Sequence, residues 1–135
     1  MAYGPQDALL NVSKALPAGA EAVNSTGIDL RKSANGAHLA DVEFILTAPA
    51  LATGDLGDSH TMKYKIQMDN DSAFGSPTDL MVDVIIQTGA GGAGAAGAVY
   101  RFKLPSNVER YIRFVATASN ADDASGKSAT LEPVF

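Results

Sequence analysis

Cysteine and tryptophan are absent from this chain, histidine occurs twice, and aromatic residues make up only 7% of it. The lack of cysteine excludes disulfides and thiolate metal sites. A metal-binding cupin needs several histidines at close spacing, and His38 and His60 stand far apart in predicted loops. No apolar run approaches the ~20 residues that a bilayer-spanning helix requires. The first residues, Met1 to Asp7, lack the basic and apolar regions of a secretion signal, so a soluble protein made without a secretion signal is expected. Basic residues are also few, 10 against 15 acidic ones, for a net charge of −5. Nucleic-acid binding draws most of its affinity from clustered Lys and Arg, so neither a nucleic acid nor a membrane is expected as partner.

What is present is alternation. Thr61 to Asp69 gives the cleanest case, with Met62, Tyr64, Ile66 and Met68 on one side and Lys63, Lys65, Gln67 and Asp69 on the other. Successive side chains of a strand face opposite sides of a sheet, so this is a half-buried strand. Burying the four apolar side chains contributes about 6–10 kcal/mol at roughly 25 cal/mol per Å². Arg110 to Ala118 is the predicted central strand, with Ile112, Phe114 and Ala116 inward. Leu39 to Ala48 is a further strand with Ala40, Val42, Phe44 and Leu46 on one face, ended by Pro49. Leu80, Val82, Val84 and Ile86 are expected to share an inward face, and Ile85 opposite them suggests cover on both sides. Tyr100, Phe102 and Leu104 follow, then a last strand from Ser128 with Leu131 and Val134 or Phe135 available for packing. Shorter pieces are Leu9 to Leu16 at an edge, Glu21 to Ser25, and Ile28 to Leu30 beyond a break at Thr26-Gly27.

These amount to about seven or eight short strands between Gly, Asp, Asn and Pro turns with no convincing helix, the pattern of an antiparallel β-sandwich. Jelly-roll and immunoglobulin-like topologies share that periodicity. The expected organisation is an extended amino-terminal arm over residues 1–20 and one sandwich domain over 21–135. Phe74, in the turn after Asp69, is expected to tuck back as a plug. The run Gly89 to Gly97 should be mobile unless another chain holds it, since ordering it costs about 10 kcal/mol of backbone entropy.

No arrangement points to catalysis. The glycine run lacks the Lys-Ser/Thr and helix of a phosphate loop. No serine sits in a nucleophile elbow, and Glu21, Glu43, Glu109 and Glu132 fall on separate elements. Asp69, Asp71 and Asp79 offer oxygens of the kind calcium takes, but without EF-hand spacing, and such residues cap their own turns. The expectation is a binding protein with no cofactor, no metal and no enzymatic activity. Glycan binding is the alternative, although Tyr3 is the one tyrosine outside predicted strands.

Three stretches carry a resemblance: Thr26-Gly27-Ile28-Asp29-Leu30, then Ile66 to Phe74, then Leu104-Pro105 followed by Arg110-Tyr111-Ile112-Arg113-Phe114. In this order, across most of residues 20–118, the chain resembles the capsid cement (decoration) proteins of short-tailed bacteriophages. The resemblance implies a jelly roll, a homotrimer, and a place on the outer capsid surface of a virion, where it binds the major capsid protein and bridges capsomers. The amino-terminal arm (Tyr3, Pro5, Leu9, Leu10) and the glycine-rich loop (Gly91, Gly94) are the expected contacts with capsid or with a neighbouring subunit. A glycan-binding module on the virion surface is the alternative.

Overall fold

The computed structural model describes residues 11–30 and 43–134. Nine strands run in chain order: β1 Val12–Ala15, β2 Ala22–Asn24, β3 Ile28–Asp29, β4 Glu43–Ala48, β5 Thr61–Asp69, β6 Thr78–Thr88, β7 Ala98–Lys103, β8 Tyr111–Ala118 and β9 Ser128–Val134. They form two antiparallel sheets, one ordered β1-β9-β4-β7 and the other β2-β8-β5-β6, with β3 also paired to β8. There is no helix among the described residues.

The pairing resolves the topology that periodicity leaves open. β1 pairs with β9, β2 and β3 with β8, β4 with β7, and β5 with β6, so early strands fold back on late ones as nested hairpins. Two facing sheets of four and five strands, wound in this order, are a double-sheet jelly roll. The break at Thr26-Gly27 splits one strand into β2 and β3 on the same side of β8. Ser25 fills the gap, its hydroxyl accepting the Phe114 N–H at 3.0 Å while its own N–H reaches the Phe114 carbonyl.

Between the sheets lies one core, in which Phe44, Leu46, Tyr64, Ile66, Ile112, Phe114 and Leu131 are wholly buried. β8 is central, paired on both sides. Val12 and Leu16 are buried and β1 is paired to β9, so residues 12–16 belong to the sandwich and not to an arm. In β9 the inward residues are Ala129, Leu131 and Pro133, with Val134 half-buried. Pro133 lies beyond the stretch that β1 reaches, where its missing N–H costs no ladder bond on that side. Of the Leu39–Ala48 strand, Glu43 onward is described and Phe44 and Leu46 are inward. Ala40, Val42 and Phe135 lie outside the described residues.

Strand β6 departs from the simple alternation. It has 11 residues and opposes β5 with register shifts between Tyr64 and Ile66 and between Ile66 and Gln67. Ile85 lies across from Tyr64 and Met81 from Ile66, so Val82, Asp83 and Val84 bulge opposite Lys65 alone. Asp83 sits at φ 52, the left-handed conformation that Asp adopts more readily than most residues. Of the expected inward face, Leu80 and Val84 pack half-buried against the core, whereas Val82 and Ile86 are corrected. Ile85 and Gln87 point into the sandwich, while Val82 and Ile86 point to solvent at 60% and 51% exposure. With apolar residues at both parities, the strand had no polar face to fix its register; the bulge and the partners on β5 fix it.

Candidate functional site

Three regions bring chemistry-bearing residues together. The first is a corner where the stretches carrying the family resemblance meet. Arg110, just before β8, holds Asp29 of β3 through two bonds of 2.9 Å. Asn70 donates to Glu109 at 2.7 Å and accepts the Arg110 N–H at 3.3 Å. Phe74 is buried as expected, packed on Gly27 and capped by the Arg113 guanidinium 4.4 Å from the ring centre. A Cβ on Gly27 would come within 2.6 Å of that ring. Arg113 also donates twice to the side-chain amide oxygen of Gln67, at 3.0 and 2.8 Å. This cover explains why Gln67, on the outward parity, is nonetheless buried.

The carboxylates considered for calcium are engaged by the chain itself. Asp69 accepts the N–H groups of Asp71 and Ser76, which hold its carboxyl below the ordinary range. Asp71 accepts the Ala73 N–H at 3.0 Å. Asp79 is turned to Gln67 and Lys65 and is held low by the Gln67 amide first. Among the described residues no three His, Cys, Asp or Glu side chains are grouped to hold a metal.

The second region is a knot of loops at one end of the sandwich. The glycine-rich run, expected to need another chain, is tied to residues 49–58. Leu51 and Ala95 exchange backbone hydrogen bonds of 2.8 Å, Asp58 accepts the Gly92 N–H at 2.8 Å, and the Thr53 hydroxyl donates to the Gly92 carbonyl. At Gly94 the backbone is left-handed, φ 67, and a Cβ there would overlap the Leu51 carbonyl oxygen. Gly91 is exposed, whereas Gly94 is buried and serves this intramolecular contact. Tyr3, Pro5, Leu9 and Leu10 lie outside the described residues.

Gln87 anchors the base of the knot. Its side-chain oxygen accepts the Tyr64 hydroxyl at 2.7 Å, and its nitrogen donates to the carbonyls of Pro49 and Ala96 at 2.8 and 3.0 Å. Burial pushes the Tyr64 phenol far above its ordinary pKa, so it stays a donor. Further out, His60 Nδ1 meets Asp122 at 2.5 Å and Lys127 meets Asp55 at 2.8 Å, each pair holding its carboxylate low.

The third region is the outer face of the second sheet along β6, and it is the candidate site. Ile86, Lys63 and Thr117 lie side by side on neighbouring strands β6, β5 and β8. Beside them, Lys63, Tyr64, Lys65, Val82, Asp83 and Thr117 line a cavity of about 220 Å³ where the bulge lifts off β5. Lys65 is held by Asp79 at 3.2 Å, but Lys63 approaches Asp83 only to 4.0 Å. Among the described residues β6 pairs with β5 alone, and β7, the edge of the other sheet, pairs with β4 alone. β7 carries Val99 at 57% exposure. Val82, Ile86 and Val99 thus flank these two sheet edges, a feature that the strand alternation concealed. The remaining clue in sequence was Asp83, a poor strand former inside an apolar run.

Together these features define a jelly roll whose interior is closed and whose distinctive chemistry lies on its surface. No family model and no curated protein matches the chain. Among solved structures it is similar to the PBSX exported protein XepA, with a TM-score of 0.52 and 15% identity. The match covers 99% of this chain and 39% of XepA, so the chain spans well under half of that protein's length. A chain of the Cowpea Mosaic Virus empty virus-like particle gives 0.48 at 10% identity, covering 100% of this chain and 82% of that one. A carbohydrate-binding module of Cel9A, a family 9 glycoside hydrolase from Ruminococcus flavefaciens FD-1, gives 0.38 at 13%, covering 93% and 98%. The likeness to XepA is one of fold.

Proposed function

We propose that this chain is a non-catalytic binding module of a virion, a cement protein that docks on the outside of the major capsid shell and bridges capsomers as a homotrimer. The observation that carries the reading is the outer face of β6, where Val82 and Ile86 are exposed next to a sheet edge that no other described strand pairs. Long edges with apolar side chains are normally covered or blunted, because they invite pairing with another chain. A jelly roll whose loops are cross-tied presents such a surface without an ordering cost at binding. In a trimer, three modest contacts act together, so shallow docking becomes firm attachment. The family resemblance supplies the kind of partner.

The test mixes the purified full chain with empty shells of the major capsid protein from the virus that encodes it, and follows co-sedimentation and oligomeric state. Saturable addition at a fixed ratio by a sedimenting trimer is the expected result. Absence of shell binding, with binding to a glycan array instead, would replace the reading with the glycan-binding one.

A further inference from the structure

The geometry points to a second copy of this chain as the occupant of one sheet edge, that of β7, joined to it across a two-fold axis. The inference goes beyond the proposed function and does not depend on it. It starts from the four edges that the two described sheets present, three of which are blunted in ways that deter pairing. β1 has four residues and carries Lys14. β2 and β3 have three and two residues, with the break at Thr26-Gly27 between them. β6 is interrupted by the bulge at Val82–Val84, which leaves its outer face for docking but no even ladder along its edge. β7 has no such interruption. Its six residues follow β4 without a register shift, from the Ala48–Ala98 pair to the Glu43–Lys103 pair, and none is proline, glycine or left-handed. Alternate residues of an edge strand turn N–H and C=O groups away from their sheet, and no described strand meets those of β7. Of its two cations, Arg101 is held by Glu43 of β4 at 2.9 Å, and Lys103 is the last residue of the strand.

The order of side chains along β7 fits itself. Directly opposed residues of an antiparallel pair share a face, so a two-fold axis through Tyr100 sets Val99 against the partner's Arg101 and Ala98 against the partner's Phe102. On the outer face no like charges are opposed, and the aliphatic stem of each Arg101 covers the exposed Val99 of the other copy. On the inner face the smallest residue of the strand meets a large one, and the two half-buried Tyr100 rings meet at the axis. Other registers fit worse. An axis at Arg101 would oppose two guanidinium groups, and one at Val99 would run the ladder into Ala96 and Gly97 of the preceding loop. Pairing through Tyr100 joins two four-stranded sheets into one of eight strands, in a contact that closes on itself. It is a modest contact, filled where copies are crowded on a common surface. Between subunits of neighbouring trimers it would knit a shell-bound layer together.

The test reads the register. Val99→Cys and Arg101→Cys are each made in the full chain and then mixed under mild oxidation. The mixture should give a disulfide-linked dimer and each variant alone should not. Val99 lies directly opposite the partner's Arg101, whereas the two copies of either residue stand on the diagonal, about 7–8 Å apart and beyond disulfide reach. Sedimentation over a concentration series up to about 1 mM supplies the second readout. Wild type should reach at least about twice the mass of Val99→Lys, which sets an ammonium group opposite the partner's Arg101 at an exposed position where folding is unaffected. Equal cross-linking by the mixture and by the separate variants, or a mass that Val99→Lys leaves unchanged, overturns the contact. The two readings fail separately. A wild-type dimer that Val99→Lys returns to a monomer supports the contact and removes the homotrimer, whereas a trimer untouched by the substitution removes the contact and keeps the homotrimer.

Discussion

Strands β5 and β6 lie side by side in the same sheet and are built from similar apolar residues, yet they are governed differently. In β5 every second residue from Met62 to Met68 is apolar and the residues between are polar, so one register buries the core face and any slip exposes it. In β6 apolar residues occupy both parities from Leu80 to Ile86, so alternation alone permits either face inward. The structure chooses Ile85 and Gln87, because Tyr64 and Met62 lie across from them and a bulge at Val82–Val84 absorbs the surplus length. Where one face is polar, hydrophobic pattern dictates register; where neither is, neighbouring strands and local backbone dictate it.

Truncation gives the largest effect that sharpens this contrast. Ile66→Ala in β5 and Ile85→Ala in β6 should each lose about 2–5 kcal/mol, since both side chains are buried at 0% and 7% exposure. Ile86→Ala, one residue along, should change stability by less than about 0.5 kcal/mol. Urea unfolding of the three variants checks all of this, and equal losses at Ile85 and Ile86 would break the comparison.

The glycine-rich loop offers a second pairing of similar residues in different settings. Gly91 and Gly94 both have positive φ, but only at Gly94 would a Cβ meet the Leu51 backbone. Gly94→Ala should cost about 2–4 kcal/mol and Gly91→Ala about 1–2 kcal/mol, read by thermal melting. Slightly smaller is Gln87→Leu, which leaves the Tyr64 hydroxyl and two carbonyls without their partner. A loss of about 1–3 kcal/mol is expected, with faster amide exchange at Ala93 and Ala95.

The smallest effect is acid sensitivity at the loop knot. Asp122 is held below its ordinary value of 3.8 chiefly by the His60 side chain, and Asp55 chiefly by Lys127. A depressed carboxylate stabilises the folded state fully above its unfolded value and loses that contribution as pH falls through the lower folded value. Melting temperature should therefore hold steady down to the ordinary carboxylate range and decline below it, less steeply in Asp122→Asn. An Asp122→Asn curve that parallels wild type would remove that pair from the account.

Much of the architecture was legible beforehand. Thr61–Asp69, the central strand around Phe114, and the Phe74 plug follow from alternation and turn chemistry, because in each a single face is apolar. The jelly-roll winding was not legible, since periodicity says which side a residue faces and not which strand lies beside it. The tethering of Gly89–Gly97 was hidden for a related reason: Gln87, Asp58 and Thr53 are ordinary polar residues until the fold brings them to the loop. The candidate site escaped notice because it depends on three surplus residues in β6, and a bulge carries no periodic mark. Assigning residues 1–20 to an arm missed Val12, which pairs with Leu131 of β9, and Leu16, whose N–H donates to the Lys127 carbonyl just before β9, both far along the chain.

The most direct test uses the natural absence of cysteine. Single variants Val82→Cys, Ile85→Cys and Ile86→Cys provide one thiol each for labelling with a maleimide under native conditions. Rapid modification at positions 82 and 86, with modification at 85 limited by unfolding, is the result predicted for a β6 turned outward at its bulge. Rapid labelling at 85 with protection at 82 and 86 would contradict it, and with it the docking surface on which the proposed function stands.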